Sequence, residues 1–251
     1  MTATVSLQDG IVYGPVESRR LGRSLGLNLA PQDRKVCSFD CVYCQYGPSV
    51  EQPIRYDPDD VPGVDAVADA VRDALDRLDR APDYLTFSGN GEPTSHPEFP
   101  AIVDRVRTIA ADRPDANVAL FTNGCRLDDP DVRAAVERID DPFVKLDAGT
   151  PETFAAVNRP VGIEFEELLE ILESMDDVAI QSMKFEGEIG NLGEADVEAW
   201  IEAVERVDPV AVDLYTVARP TVYDLQAASR DRLEAIAERL EERGIPTRVS
   251  V

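Results

Sequence analysis

The sequence predicts an α/β fold, with parallel strands in a sheet and helices packed outside it. Four observations carry that expectation. Apolar runs that read as strands alternate with amphipathic runs at helical spacing, giving six or seven β/α units. At 251 residues and 43% hydrophobic content the chain can bury one sizeable core. No linker, repeat or low-complexity stretch interrupts it, so residues 1–251 read as a single domain. Finally, glycine and polar residues gather directly after the strand-like runs, where parallel α/β folds carry function.

The elements follow in order. Leu25–Leu29 reads as the first strand and leads into a cysteine-bearing loop over residues 31–48. Val64, Val67, Val71, Leu75 and Leu78 repeat at helical spacing over 64–78. Tyr84–Phe87 is the second strand, and Phe99–Ile109 is a helix with Pro97 near its start. Val118–Phe121 is the third strand, followed by a helix over Val132–Ile139. Phe143–Leu146 is the fourth strand, with helical runs at Phe154–Val157 and Phe165–Met175. Val178–Phe185 is the fifth strand, Val197–Val207 a helix and Val210–Tyr215 the sixth strand. A helix over Leu233–Leu240 and a terminal strand over Thr247–Val251 complete the series. A six-unit open barrel and a doubly wound sheet both accommodate this order.

The most informative local feature is Cys37-Ser38-Phe39-Asp40-Cys41-Val42-Tyr43-Cys44. Its spacing is C-x3-C-x2-C, with an aromatic residue before the last cysteine. Structural zinc asks for four protein ligands, usually in two pairs. The remaining candidates, Cys125 and the only histidine, His96, lie far along the chain. A disulfide would leave one thiol over. Three thiolates on one loop suit a [4Fe–4S] cluster that leaves one iron open to an exogenous ligand. A non-catalytic iron–sulfur or zinc module is the alternative of a different class.

The formal net charge is −24, and only Lys35, Lys145 and Lys184 are lysines. Such an acidic, lysine-poor balance reads as halophile-like, because carboxylate-rich surfaces stay hydrated in high salt. It argues against a nucleic-acid surface. A local exception, Arg19, Arg20, Arg23, Arg34 and Lys35, faces either an anion or neighbouring carboxylates. No apolar run is long enough to span a bilayer and no signal pattern opens the chain, so a cytoplasmic protein is expected.

The loops after the strands hold Ser88-Gly89-Asn90-Gly91-Glu92-Pro93-Thr94, Thr122-Asn123-Gly124-Cys125 and Lys145-Leu146-Asp147-Ala148-Gly149. With the cysteine loop, these resemble the radical S-adenosylmethionine (SAM) superfamily. Tyr43 fills the aromatic position of that superfamily's cluster motif, and Gly89 to Pro93 resemble its glycine-rich motif. Four segments resemble more narrowly the branch of short archaeal and bacterial proteins related to the tRNA wyosine-base (demethylwyosine) synthetases. They are Gly14–Gly22, Phe87–Thr94, Lys145–Gly149 and Asn158-Arg159-Pro160.

The resemblance implies a partial (β/α)6 TIM-like barrel and an oxidoreductase-type enzyme. Such an enzyme cleaves SAM reductively at a [4Fe–4S] cluster, and the resulting 5′-deoxyadenosyl radical abstracts hydrogen from a substrate the sequence does not identify. It implies Cys37, Cys41 and Cys44 as cluster ligands, with Phe39 and Tyr43 shielding the cluster. Gly89, Asn90, Gly91, Glu92, Thr122, Asn123 and Asp147 are implied as SAM contacts, Glu92 accepting from the SAM ammonium. A low-potential donor such as ferredoxin or flavodoxin is implied as partner. A tRNA substrate is the alternative; no cysteine precedes Cys37 and no basic stretch appears, so it is not favoured. Cys125 reads as a small buried hydrophobe, His96 as a loop residue and Trp200 as core, while Tyr215 and Arg219 could cap the site.

Overall fold

The computed structural model describes residues 4–113 and 116–251, which form two compact units. The first comprises residues 7–38 and 50–142; the second comprises residues 4–6, 39–49 and 143–251.

In the first unit, β1 (Val12–Ser18), β2 (Gly22–Leu27), β3 (Tyr84–Phe87) and β4 (Asn117–Thr122) lie side by side in chain order. β2, β3 and β4 are parallel, with Leu25 opposite Leu85 and Leu85 opposite Val118. Helices α1 (Val64–Asp76) and α2 (Phe99–Ala111) connect them, and α3 (Pro130–Val136) follows β4. The helical spacing that marks these segments is the buried face: Val67, Val71 and Leu75 on α1, Ile102, Val103 and Val106 on α2. Asp129 starts α3, its side chain accepting from Asp131 N at 3.0 Å, with Pro130 in the first turn.

The chain enters the second unit within β5 (Asp141–Lys145). It continues through α4 (Pro151–Val157), α5 (Phe165–Glu173), β6 (Ala179–Met183), β7 (Phe185–Gly187), α6 (Glu194–Val207), β8 (Ala211–Tyr215), β9 (Leu225–Ala227), α7 (Arg230–Glu241) and β10 (Thr247–Ser250). β5, β6, β8 and β10 are parallel neighbours in that order, and β7 pairs antiparallel with β9. The register sets Lys145 opposite Gln181, Gln181 opposite Asp213, and Asp213 opposite Arg248. Arg248 grips the Asp213 carboxylate with two bonds, of 2.6 and 2.8 Å. Thr150 and Ser229 cap α4 and α7. Gly149 lies so close to α6 that a Cβ there would fall 2.1 Å from Ala199 C and Trp200 N.

The structure departs from the sequence expectation in several places, of which these bear on the site and the core. β1 was not anticipated: Gly14 and Pro15 break its alternation, and its antiparallel pairing with β2 is irregular between Tyr13 and Val16. The expected first strand ends at Leu27 rather than Leu29. The run Val178–Phe185 is not one strand, because β6 ends at Met183 and β7 starts at Phe185. Lys184 sits at that break and turns its side chain into the core. Trp200 is core, as expected, and its Nε1–H donates to Leu146 O at 2.8 Å.

Lys184 is fully buried; its Nζ donates to Asp147 O at 3.0 Å and lies 3.9 Å from the centre of the Trp200 ring. Burial pushes its ammonium down to about 7, against the opposing pull of Asp147 and Asp196. Between that value and the ordinary 10.5 the unfolded chain binds a proton that the folded chain does not. Stability therefore rises with pH across this window and is lowest below it. Urea titrations should show Lys184→Met lacking this contribution, a slope of up to about 1.4 kcal/mol per pH unit. A variant that keeps the full wild-type slope between neutral pH and pH 10 would show that Lys184 does not titrate as described.

Candidate functional site

In the second unit, the cysteine loop is fastened inward through the residues between its thiols. Phe39 is buried and meets Phe154 edge-on at 5.5 Å. Val42 and Tyr43 pack with Val157 and Phe185, and Tyr43 meets the Phe185 ring at 5.6 Å. The main chain is held as well: Asp40 N donates to Asn158 O at 3.1 Å, and Val42 N to Val157 O at 3.0 Å. Cys44 N donates to Cys41 O at 3.0 Å, closing a turn. Cys41 and Cys44 remain free and half-buried.

Behind the loop stands Asp147, its carboxylate wholly buried. Oδ2 accepts from Tyr43 Oη and from Asn158 Nδ2 (2.7 Å); Oδ1 accepts from Met183 N (2.7 Å). Lys145 Nζ lies 3.8 Å from the same carboxylate and 3.3 Å from Tyr215 Oη. Burial alone would lower the Lys145 pKa, but Asp147, Tyr215 and Cys41 together hold it above its ordinary value. Burial, reinforced by Asp147, pushes the Tyr43 phenol well up, so it stays protonated and donates. Asn158 Nδ2 also reaches Cys41 Sγ at 3.5 Å. Tyr215 Oη donates to Gln181 Oε1 at 3.5 Å, and Arg219 donates to Gln45 Oε1 on the cysteine loop at 2.5 Å.

The first unit holds Cys37 and the glycine-rich segment. Cys37 is half-buried, and its N donates to Glu51 O at 3.3 Å. Asn123 Nδ2 lies 3.8 Å from Cys37 Sγ and donates to Ser38 Oγ at 2.9 Å. Ser38 Oγ in turn meets the buried Cys125 Sγ at 2.9 Å. Burial, helped by Glu92, pushes the Cys125 thiol up to about 12, which suits a packing residue rather than a nucleophile. Gly89 adopts φ +136°, and a Cβ there would lie 2.5 Å from Asn28 Oδ1. At Gly91 a Cβ would fall 1.9 Å from Val36 O. Asn90 is consumed structurally, bonding to Gln8 and Pro31 through its side chain and to Asn28 through its N–H.

Glu92 joins the loops after β3 and β4. Its Oε1 accepts from Thr94 N (3.1 Å), Thr94 Oγ1 (2.7 Å) and Thr122 Oγ1 (2.6 Å), and its Oε2 from Asn123 N (2.7 Å). Its own N–H donates to Tyr56 Oη at 2.7 Å, and that hydroxyl donates to Val36 O at 3.0 Å. Burial raises the carboxyl pKa, and the bonds from Thr122, Asn123 and Thr94 only partly draw it back.

His96 is a buried loop residue with both ring nitrogens engaged: Nδ1 accepts from Glu98 N at 3.1 Å, which leaves Nε2–H to donate to Pro62 O at 2.9 Å. Arg34 forms ion pairs with Asp33 and Asp60, and Arg20 stacks on Phe121. The basic cluster thus serves its own unit at these positions. Among the described residues, no three His, Cys, Asp or Glu side chains converge on a point that would hold a single metal ion. A cubane binds each thiolate on a different iron, so its ligands need no such convergence. The sequence alone does not single out Asn158, Tyr56 or Asn28 as site residues. Asn158 had a signal, its place in Asn158-Arg159-Pro160, whereas polar residues like Tyr56 and Asn28 carry none in the sequence alone.

A profile of the radical SAM superfamily matches residues 35–186, more than half of the chain. The chain belongs to the radical SAM superfamily. Among sequence relatives, a UPF0026 protein of Synechocystis is 30% identical over 234 residues, covering 93% of this chain and 80% of the relative. Membership therefore runs to the UPF0026 proteins. A radical SAM methyltransferase from Sphaerobacter thermophilus superposes with a TM-score of 0.65 at 17% identity, over 90% of this chain and 65% of that one. Streptococcus suis SuiB, solved bound to S-adenosylmethionine, gives 0.62 at 12% identity, over 90% of this chain and 50% of that one. The chain thus spans less than two thirds of either structure. At these identities the likeness shows the fold, which is the α/β radical SAM core expected from the sequence.

Glu92→Gln should cost about 2 kcal/mol in denaturant stability, because an amide cannot accept every donor now aimed at the carboxylate. A loss below about 0.5 kcal/mol would mean that this carboxylate does not join the two loops.

Proposed function

We propose that the protein is a radical SAM enzyme holding a [4Fe–4S] cluster on Cys37, Cys41 and Cys44. The observation that carries this reading is the C-x3-C-x2-C loop itself, its three cysteines half-buried in a chain of this superfamily. The donor set fits the cluster: three thiolates, two of which, Cys37 and Cys41, face side-chain amide N–H groups. When bound, the cluster and SAM would supply a one-electron cleavage giving a 5′-deoxyadenosyl radical, which takes a hydrogen atom from substrate.

The chain's own residues position and shelter that chemistry. Phe39, Val42 and Tyr43 fill the space behind the thiols and exclude water. Gly89 and Gly91 bring main chain where a side chain has no room, leaving backbone groups to meet the methionine part of SAM. Glu92 Oε2 carries the Asn123 bond and retains acceptor capacity for an ammonium. Thr122 and Asn123 are held in place by the same carboxylate. Asp147 acts through Tyr43, Lys145 and Asn158, all of which touch it. We further propose ferredoxin or flavodoxin as electron source; the substrate is left open.

Anoxically reconstituted protein with SAM and a strong reductant should release 5′-deoxyadenosine. Cys41→Ala should abolish that release, a fall of at least about a hundredfold, as expected when a ligand of a reacting centre is removed. Wild type that binds iron but releases no 5′-deoxyadenosine would refute the enzymatic reading and leave a non-catalytic module.

A further inference from the structure

We propose that Asn158 is a positioning residue for the cluster, its side-chain N–H donating to Cys41 Sγ and raising the cluster's reduction potential. The proposal rests on the cysteine-held cluster of the preceding section. Asn158 is fully buried at the end of α4. Its Nδ2 lies 2.7 Å from Asp147 Oδ2, 3.5 Å from Cys41 Sγ and 3.4 Å from Tyr43 Oη.

An amide nitrogen carries two hydrogens, and Asp147 Oδ2, at 2.7 Å, takes one. That contact also fixes which end of the amide faces the loop, since a reversed amide would set its carbonyl against the carboxylate. The second hydrogen is then left for the sulfur and the phenol oxygen. A further observation shows the orientation is not one that satisfies Asn158 itself. Its Oδ1 is buried and has no hydrogen-bond partner among the described residues. Burying an unpartnered carbonyl is unfavourable, so the amide is held by what its nitrogen does.

The main chain keeps the residue rigid. Asn158 N donates to Phe154 O at 2.9 Å, and Asn158 O accepts from Asp40 N inside the cysteine loop. One residue therefore anchors both the loop's backbone and one of its thiols. A donor aimed at a cluster thiolate stabilises negative charge there. The reduced cluster carries one more electron than the oxidised one, so it gains more, and the potential rises.

The test is an EPR-monitored redox titration of the anoxically reconstituted full chain, without substrate. Asn158→Ala should retain iron and shift the midpoint to more negative values. Asn158→Asp, which replaces a donor with an acceptor, should shift it further in the same direction. A purely structural residue would lower the melting temperature and leave the midpoint unmoved. Wild-type midpoints in both variants at full iron content would overturn the inference and leave the cluster reading standing. Wild type that takes up no iron at all would overturn both. Should neither variant hold iron, pulsed hyperfine spectra of protein labelled with 15N-asparagine decide the matter. A 15N coupling to the reduced cluster that survives Asn123→Ser supports the inference, and its absence overturns it.

Discussion

Three thiols within eight residues stay half-exposed because the residues between them are fastened inward. A loop so short has too little backbone to form a stable element of its own, and left alone it would sample many conformations. Phe39 and Tyr43 remove that freedom by burying two rings, each against another aromatic ring. Hydrogen bonds from Asp40 N and Val42 N to the end of α4 fix the main chain between them. Cys41 packs against the same cluster, and its Sγ lies 3.5 Å from Asn158 Nδ2.

Each unit contains a buried carboxylate held by several donors, Glu92 in the first and Asp147 in the second. Burial of a charge is costly unless its lone pairs are satisfied, and breaking such a set by removing one partner costs about 3–5 kcal/mol. The two carboxylates therefore resist small displacements of the loops they join. Their surroundings differ in one respect. Asp147 has a lysine at 3.8 Å, while the bonds to Glu92 come from hydroxyl and main-chain N–H groups. Asp147 is thus neutralised by charge and Glu92 by dipoles, and burial still raises the Glu92 pKa.

Much of this was legible in the sequence because its signals are local. Strand and helix periods reproduce the core β/α order, since the apolar positions on α1, α2, α5 and α6 are the buried ones. The cysteine spacing singled out the loop, and Lys145 and Asp147, two apart, do face each other. What escaped depends on contacts distant in sequence. β1 carries Gly14 and Pro15 and is defined by its partner β2 rather than by its own pattern. Lys184 interrupts an apolar run in the way an exposed lysine would, yet its amine ends over Trp200. Asn158 is 117 positions from Cys41, and no spacing rule links an asparagine to a thiol at that separation.

The account stands or falls on whether the three cysteines hold a cubane with one iron distinct from the others. Mössbauer spectroscopy of protein reconstituted with 57Fe, recorded before and after adding SAM, addresses that directly. The account predicts a [4Fe–4S] spectrum in which one iron of the four changes its parameters on SAM addition, as expected when only three vertices carry cysteine. A spectrum of mononuclear iron, or a cubane whose four irons are all indifferent to SAM, would contradict it.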